Sequence, residues 1–263
     1  MASRTKQKEE ARARRMAEER ARQETERRRR RLAMLGGVVL SAIIVVVVAI
    51  VISSSGGTNA GLKHGTQASQ TAKQVNQLLA GIQQSGPVLG NPHAPVTMDY
   101  YGDLECPVCK DFTLDGGFPQ LVQNEVRTGK VKIVFKAFQT ATPDRQTFLT
   151  QQAAALAAGK QNLFWNYVEL FYRQQGQEST GYVTESYLDG LAQQIPTLNL
   201  NAWKSARNDS ALSTQVNSDN SSGTALGVTG TPTVIFTGPK GKASPNTTVP
   251  SYSDLQQAIK SVS

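Results

Sequence analysis

Twenty-one residues without a charge, Leu32 to Ile52 (LAMLGGVVLSAIIVVVVAIVI), constrain this 263-residue chain more than any other stretch. A run of that length matches the roughly 20 residues an α-helix needs to cross a bilayer. Val and Ile are poor helix formers in water, but in lipid the backbone must satisfy its own hydrogen bonds and helix is favoured. A cleaved leader would have an apolar region of about 7–15 residues behind a short basic start. Here the run is longer and 31 residues precede it, so the segment reads as an uncleaved transmembrane helix. The small residues that follow, SSSGGTNAG, leave cleavage open.

The charge of +8 is placed unevenly. Residues 1–31 carry 13 Lys/Arg against 6 Asp/Glu, whereas residues 53–263 carry 15 against 14. The basic character therefore belongs to a short arm, and a nearly neutral body argues against nucleic-acid binding, which needs a basic face. Arg27 to Arg31 stand directly before the apolar run. By the positive-inside rule they keep the arm cytoplasmic. Residues 53–263 then lie outside the cell membrane, where disulfides form. The arm reads as a solvated tail that can also meet anionic lipid headgroups of the bilayer.

After the apolar run, residues 53–87 read as a flexible tether, rich in Ser, Gly, Thr, Gln and Asn up to about Thr71. It carries one short amphipathic helix, with Val75, Leu78, Leu79 and Ile82 on one face. Turn signals at Gly86-Pro87 and Gly90-Asn91-Pro92 place the start of the folded domain near Val88. Val96–Tyr101 reads as a strand. A helix opens at Cys106-Pro107, is interrupted at Gly116-Gly117, and continues from Pro119 to about Arg127. Val131–Phe138 alternates as a second strand, so a βαβ unit with parallel strands is expected. The stretch 144–222 is helical in pattern, near Thr147–Ala158, Asn162–Tyr172, Thr184–Gln194 and Asn201–Asn217, with Thr184 and Asn199 as N-caps. Phe164, Trp165, Tyr167, Phe171 and Trp203 read as core. Val234-Ile235-Phe236 is a strand, Gly238–Gly241 a hairpin turn, and Ser251 or Ser253 caps a last helix. No internal repeat is visible.

The chain's two cysteines are Cys106 and Cys109, in the motif Cys106-Pro107-Val108-Cys109. A bridge across so short a loop removes little chain entropy, so a structural staple is a poor reading. Zinc needs four ligands, and the two histidines, His64 and His93, stand far from the pair in the chain. No metal site or cofactor is expected. A redox pair is the remaining reading. A cysteine at a helix start sits among unpaired N–H groups and the positive end of the dipole, which favours thiolate. Pro107 suits the first helical position, where no N–H partner exists. Three residues on, Cys109 shares the helix face and can close a redox disulfide. Cys106 is thus the expected nucleophile and Cys109 the buried, resolving thiol.

The segment Gly102-Asp103-Leu104-Glu105-Cys106-Pro107-Val108-Cys109 after a strand, with Gly230-Thr231-Pro232-Thr233 far downstream, resembles the DsbA-like branch of the thioredoxin superfamily. Similarity to its membrane-anchored Gram-positive bacterial members extends through Val88–Pro92 and Ala94–Thr97 and covers about residues 75–263. The resemblance implies an α/β thioredoxin fold with a helical insertion at about 144–222. It also implies a cis Thr231-Pro232 peptide facing the two cysteines, with the Thr231 backbone offered to an extended substrate. One departure concerns the buried acid that the family's best-known members place six residues before the first cysteine: Tyr100 stands there. Asp99 should point to the opposite sheet face. Asp103 and Glu105, flanking the motif, read as solvated surface charges.

The expected chemistry is thiol–disulfide exchange at Cys106–Cys109, forming disulfides in exported, cysteine-containing proteins. A reductase or isomerase of the same fold, or a chaperone-like binding domain, are the alternatives. An oxidase needs a membrane electron acceptor to reoxidise its pair, and the resemblance implies a quinone-linked disulfide generator. Nothing in the sequence calls for a dimer, and a monomer is expected.

Overall fold

The computed structural model describes residues 61–263. The basic arm, the apolar segment 32–52 and the first part of the tether lie outside the described residues. Among the described residues, no helix is long and apolar enough to cross a membrane.

The centre of the fold is the expected βαβ unit. Strand β3 (Val96–Gly102) and strand β4 (Val131–Ala137) pair in parallel over seven residues, from Val96 opposite Val131 to Gly102 opposite Ala137. Between them lie helix α2 (Pro107–Leu114) and helix α3 (Phe118–Leu121), the latter running on into a π-helical turn, Val122–Val126. Short strands β1 (Gln84–Ser85) and β2 (Val88–Leu89) extend one edge of the sheet. Strands β5 (Thr233–Gly238) and β6 (Gly241–Ala243) extend the other, all antiparallel, giving the order β1-β2-β4-β3-β5-β6.

Four helices predicted in the insertion are five. They are α4 (Arg145–Gly159), α5 (Phe164–Arg173), α6 (Glu185–Gln193), α7 (Leu200–Ala206) and α8 (Ser210–Ala225). Thr184 and Asn199 cap α6 and α7 through their side chains, as their residue types lead one to expect. The stretch read as one helix over 201–217 breaks because Asp209 accepts the Ala211 amide and starts a new one. Helix α9 (Tyr252–Val262) closes the chain behind a capping box between Ser251 and Asp254.

Alternation along β3 and β4 buries Val96, Met98, Tyr100, Val131, Ile133 and Phe135 on one face. There they meet Phe112 and Phe118 and the aromatic residues of α5. Trp165 stacks near Phe118, stands edge-on to Phe135, and donates its indole N–H to the Pro87 carbonyl at 3.0 Å. Phe164, Trp165, Tyr167, Phe171 and Trp203 are all fully buried. On the other face α8 packs on β4, and Lys136 pairs with Asp219 at 3.3 Å.

The tether is shorter than expected. Helix α1 spans Gly65–Leu79, longer than the short helix read around Val75, and packs on α5. The Lys63 amide donates to Gln174 Oε1 at 2.7 Å, and Leu62 fills the space beside Gly190. The packed region therefore includes residue 62 and does not begin at Val88. Helix α1 buries Ala68 and Thr71 besides Val75 and Leu79, and small or hydroxylic residues give a weak hydrophobic signal. Ile82 lies beyond the helix, half-buried.

Candidate redox site

Strand β3 ends at Gly102, and the chain turns through residues 103–105 into α2. Cys106 is the N-cap of that helix and Pro107 its first residue. The Cys109 amide, one of the helix's unpaired N–H groups, donates to Cys106 Sγ at 3.3 Å. Cys109 lies one turn on, with no exposed surface, while Cys106 is 5% exposed. Both sulfurs are free thiols.

Thr231 and Pro232 come from the other end of the domain and meet this helix start. Their peptide bond is cis. The Cys106 thiol donates to the Thr231 carbonyl at 3.3 Å, a contact across 125 residues of sequence. Residues 229–234, 244–248 and 250 line a groove of about 310 Å³ that includes Thr231 and Pro232. Pro107 is exposed and Val108 half-buried.

The two sulfurs are tuned apart. The Cys106 pKa falls to about 7, first through its hydrogen bond with the Cys109 side chain, then through Thr231 and the amides of Cys109 and Val108; burial opposes them. Burial pushes the Cys109 thiol well above its ordinary value, and the neighbouring Cys106 adds to this. A sulfur that is a thiolate near neutrality both attacks and leaves well, and one that stays protonated waits its turn.

Around Cys109 there is no carboxylate from position 100. The Tyr100 hydroxyl stands there, donating to the Cys109 carbonyl at 3.3 Å and lying 3.0 Å from Thr113 Oγ1. Burial raises its pKa well beyond the ordinary tyrosine value, so it remains a neutral donor.

Asp103 and Glu105 are not surface charges; both are buried. Asp103 accepts five hydrogen bonds. The Thr140, Ala141 and Thr142 amides reach Oδ2 at 2.9 Å each, and the Thr142 hydroxyl and the Glu105 amide reach Oδ1 at 2.5 and 3.1 Å. Glu105 has its pKa raised to about 7, by burial first and by the Asp103 charge second. Gln175, just past α5, donates to the carbonyls of Leu104 and Cys106 at 2.8 and 3.1 Å. The Tyr172 hydroxyl donates to the Asp103 carbonyl at 3.3 Å. Asp103, Thr140, Thr142 and Gln175 thus belong to the site's frame, and nothing in their sequence neighbourhood marks them, since the bonds that tie residues 140–142 and Gln175 to the segment 103–106 span 37 to 71 positions.

A family model described as thioredoxin matches residues 83–261. Probable disulfide bond formation protein D of Bacillus anthracis is 25% identical over 186 residues, which are 70% of this chain and 80% of that protein. Disulfide bond formation protein D of Bacillus subtilis (strain 168) is 28% identical over 153 residues, 56% of this chain and 66% of that protein. Among solved structures, oxidised BdbD from Bacillus subtilis superposes with a TM-score of 0.57 at 24% identity, covering 68% of this chain and 94% of that one. That likeness is one of fold: a DsbA-like α/β arrangement of helices on a mixed sheet.

Proposed function

This chain belongs to the thioredoxin family, and we propose that within it the chain is a membrane-anchored oxidase that forms disulfides in exported proteins. It is a thiol–disulfide oxidoreductase, and the relatives it matches are named disulfide bond formation proteins. The observation that carries the reading is the pairing of a Cys106 thiol lowered to about 7 with a Cys109 thiol held high, both facing the Thr231-Pro232 turn.

In the forward direction a substrate thiolate attacks Cys106 Sγ of the Cys106–Cys109 disulfide. The S–S bond breaks, Cys109 leaves as thiolate and takes up a proton, and a mixed disulfide joins substrate to Cys106. A second substrate thiolate attacks the substrate's own sulfur in that bond and expels the Cys106 thiolate. Two electrons have passed from substrate to protein, and the substrate holds a new disulfide. The low Cys106 pKa makes it the better leaving group in the last step and stabilises the reduced form, which favours oxidation of substrates. In this reading the Thr231 backbone, as the family resemblance implies, is offered to an extended substrate segment that pairs in the manner of an added strand. No metal or organic cofactor enters these steps. A membrane electron acceptor restores the disulfide.

Anchoring, with the thiol pair on the extracytoplasmic side of a cell membrane, is the reading supported by the 21-residue uncharged run behind five arginines. The test is the reduction potential of the Cys106–Cys109 pair in the full-length chain, equilibrated in glutathione buffers. A value toward about −120 mV is expected for an oxidase, and one near about −270 mV would make the chain a reductase. Absence of any reversible couple would end the redox reading.

A further inference from the structure

We propose that Thr140 is a positioning residue of the redox centre: held by the Asp103 carboxylate, its hydroxyl donates to the Thr231 hydroxyl and fixes Thr231 as the polar partner of Cys106. The proposal rests on the reading of Cys106 as the exchanging sulfur.

The contacts close a ring. Three consecutive amides, those of Thr140, Ala141 and Thr142, converge on Asp103 Oδ2, a backbone nest that holds an anion. This fastens the loop after β4 to the segment that leads, three residues later, into Cys106. Thr140 Oγ1 then lies 2.5 Å from Thr231 Oγ1, across 91 residues of sequence. Thr231 meets Cys106 Sγ through its carbonyl at 3.3 Å, which returns the chain of contacts to the helix it began beside.

Either hydroxyl of the Thr140–Thr231 pair can be the donor. Thr231 also acts through its side chain on both sulfurs, lowering the pKa of each, which is the effect of a donor toward thiolate. A hydroxyl has one proton. If the Thr231 proton points to sulfur, the short bond between the two hydroxyls takes its proton from Thr140. A hydroxyl that accepts one bond donates a stronger second one. Thr140 therefore acts on the thiolate through Thr231 and not by contact. The acidic groups that flank the motif are Asp103 and Glu105, with Asp103 and Glu178 bearing on Glu105. None of them supplies a donor to the Cys106 sulfur, and Glu105, raised to about 7, is itself partly protonated in that range.

The experiment uses the full-length chain in detergent and follows the ultraviolet absorbance of the Cys106 thiolate against pH. Thr140→Val keeps the side-chain shape and the amide bond to Asp103 but removes the hydroxyl. It is expected to raise the Cys106 pKa by about half a unit or more, leaving roughly threefold less thiolate at pH values below it. The Cys106–Cys109 potential should become more negative in step. Thr140→Ser restores the hydroxyl and should titrate with the parent protein. A purely structural role would lower the thermal midpoint and leave the titration in place. If Thr140→Val and the parent titrate together, or if Thr140→Ser moves as far as Thr140→Val, the proposal is overturned. Should Thr140→Val not fold, Thr140→Ala against Thr140→Ser makes the same comparison. A parent protein whose Cys106 shows no thiolate near neutrality would overturn the redox reading itself, and this inference with it.

Discussion

Asp103 and Glu169 are the two carboxylates with no exposed surface among the described residues, and the molecule supports them in opposite ways. Asp103, beside the redox centre, is surrounded by five donors, four of them backbone or hydroxyl groups of residues 140–142. Glu169, inside α5, has Arg173 one turn on, its Nη2 at 3.3 Å from Oε2. Neither Glu169 oxygen has a hydrogen-bond donor in good geometry, and Arg173 Nε lacks an acceptor. Burial accordingly lifts the Glu169 pKa to about 7 against the pull of Arg173. A buried charge organises chain only where donors are folded around it. A lone counter-ion in the interior returns less than the desolvation costs.

The largest effect expected from this difference is at Asp103. Asp103→Ala leaves three loop amides and the Thr142 hydroxyl without their acceptor, and should lower stability by about 3 kcal/mol or more. Asp103→Asn retains one acceptor oxygen but turns a donor toward donors, and should fall between the two. Denaturant midpoints at constant m-value would show this. A loss below about 1 kcal/mol for Asp103→Ala would mean that solvent replaces the carboxylate and that the contrast with Glu169 is empty.

How far such features can be read in advance depends on the range of the interaction that creates them. The strands β3 and β4, the N-cap cysteine with Pro107 behind it, and the caps at Thr184 and Asn199 are local patterns, and each stands where the pattern puts it. Asp103 is different. From its neighbours it is an acid in a loop, for which solvent is the ordinary place. What buries it is a loop 37 to 39 residues downstream whose amides have no side-chain signature. Thr140 is equally silent, because its partner lies 91 residues on. Helix α1 extends beyond its apolar pattern for a third reason: it buries small or hydroxylic residues and meets α5 through amide side chains, such as Asn76 with Asn166, which carry no hydropathic period.

The second effect is at Glu169 and is a matter of sign. Its folded-state pKa of about 7 lies above the ordinary glutamate value of 4.5. Between those two values the folded chain holds a proton that the unfolded chain has released. Stability from this group therefore falls as pH rises through the window, and is level above it. Glu169→Gln removes the fall. The variant should match the parent near pH 4.5 and exceed it by about 2 kcal/mol at pH about 8, while Arg173, partly exposed, turns to water. Glu105 titrates in the same range, so the difference between variant and parent, not the parent's own profile, isolates Glu169. A variant less stable than its parent at high pH would show that the Arg173 pair is net stabilising and that both carboxylates are well supported.

The smallest effect sharpens the comparison from inside the Asp103 network. Thr142 gives Asp103 Oδ1 its hydroxyl proton at 2.5 Å and accepts from Gln151 Nε2 at 2.6 Å. Thr142→Val deletes both bonds, yet four amides remain on the carboxylate, and the loop should stay closed. The expected loss is about 1 kcal/mol, well below that of Asp103→Ala. Because Thr142 does not touch Thr231, the Cys106 titration should not move, in contrast to Thr140→Val. A network in which any donor can be lost with little change is redundant, and Glu169, with one partner, has no such reserve. If Thr142→Val instead costs as much as Asp103→Ala, the carboxylate is held by its hydroxyl bond and the converging amides are secondary.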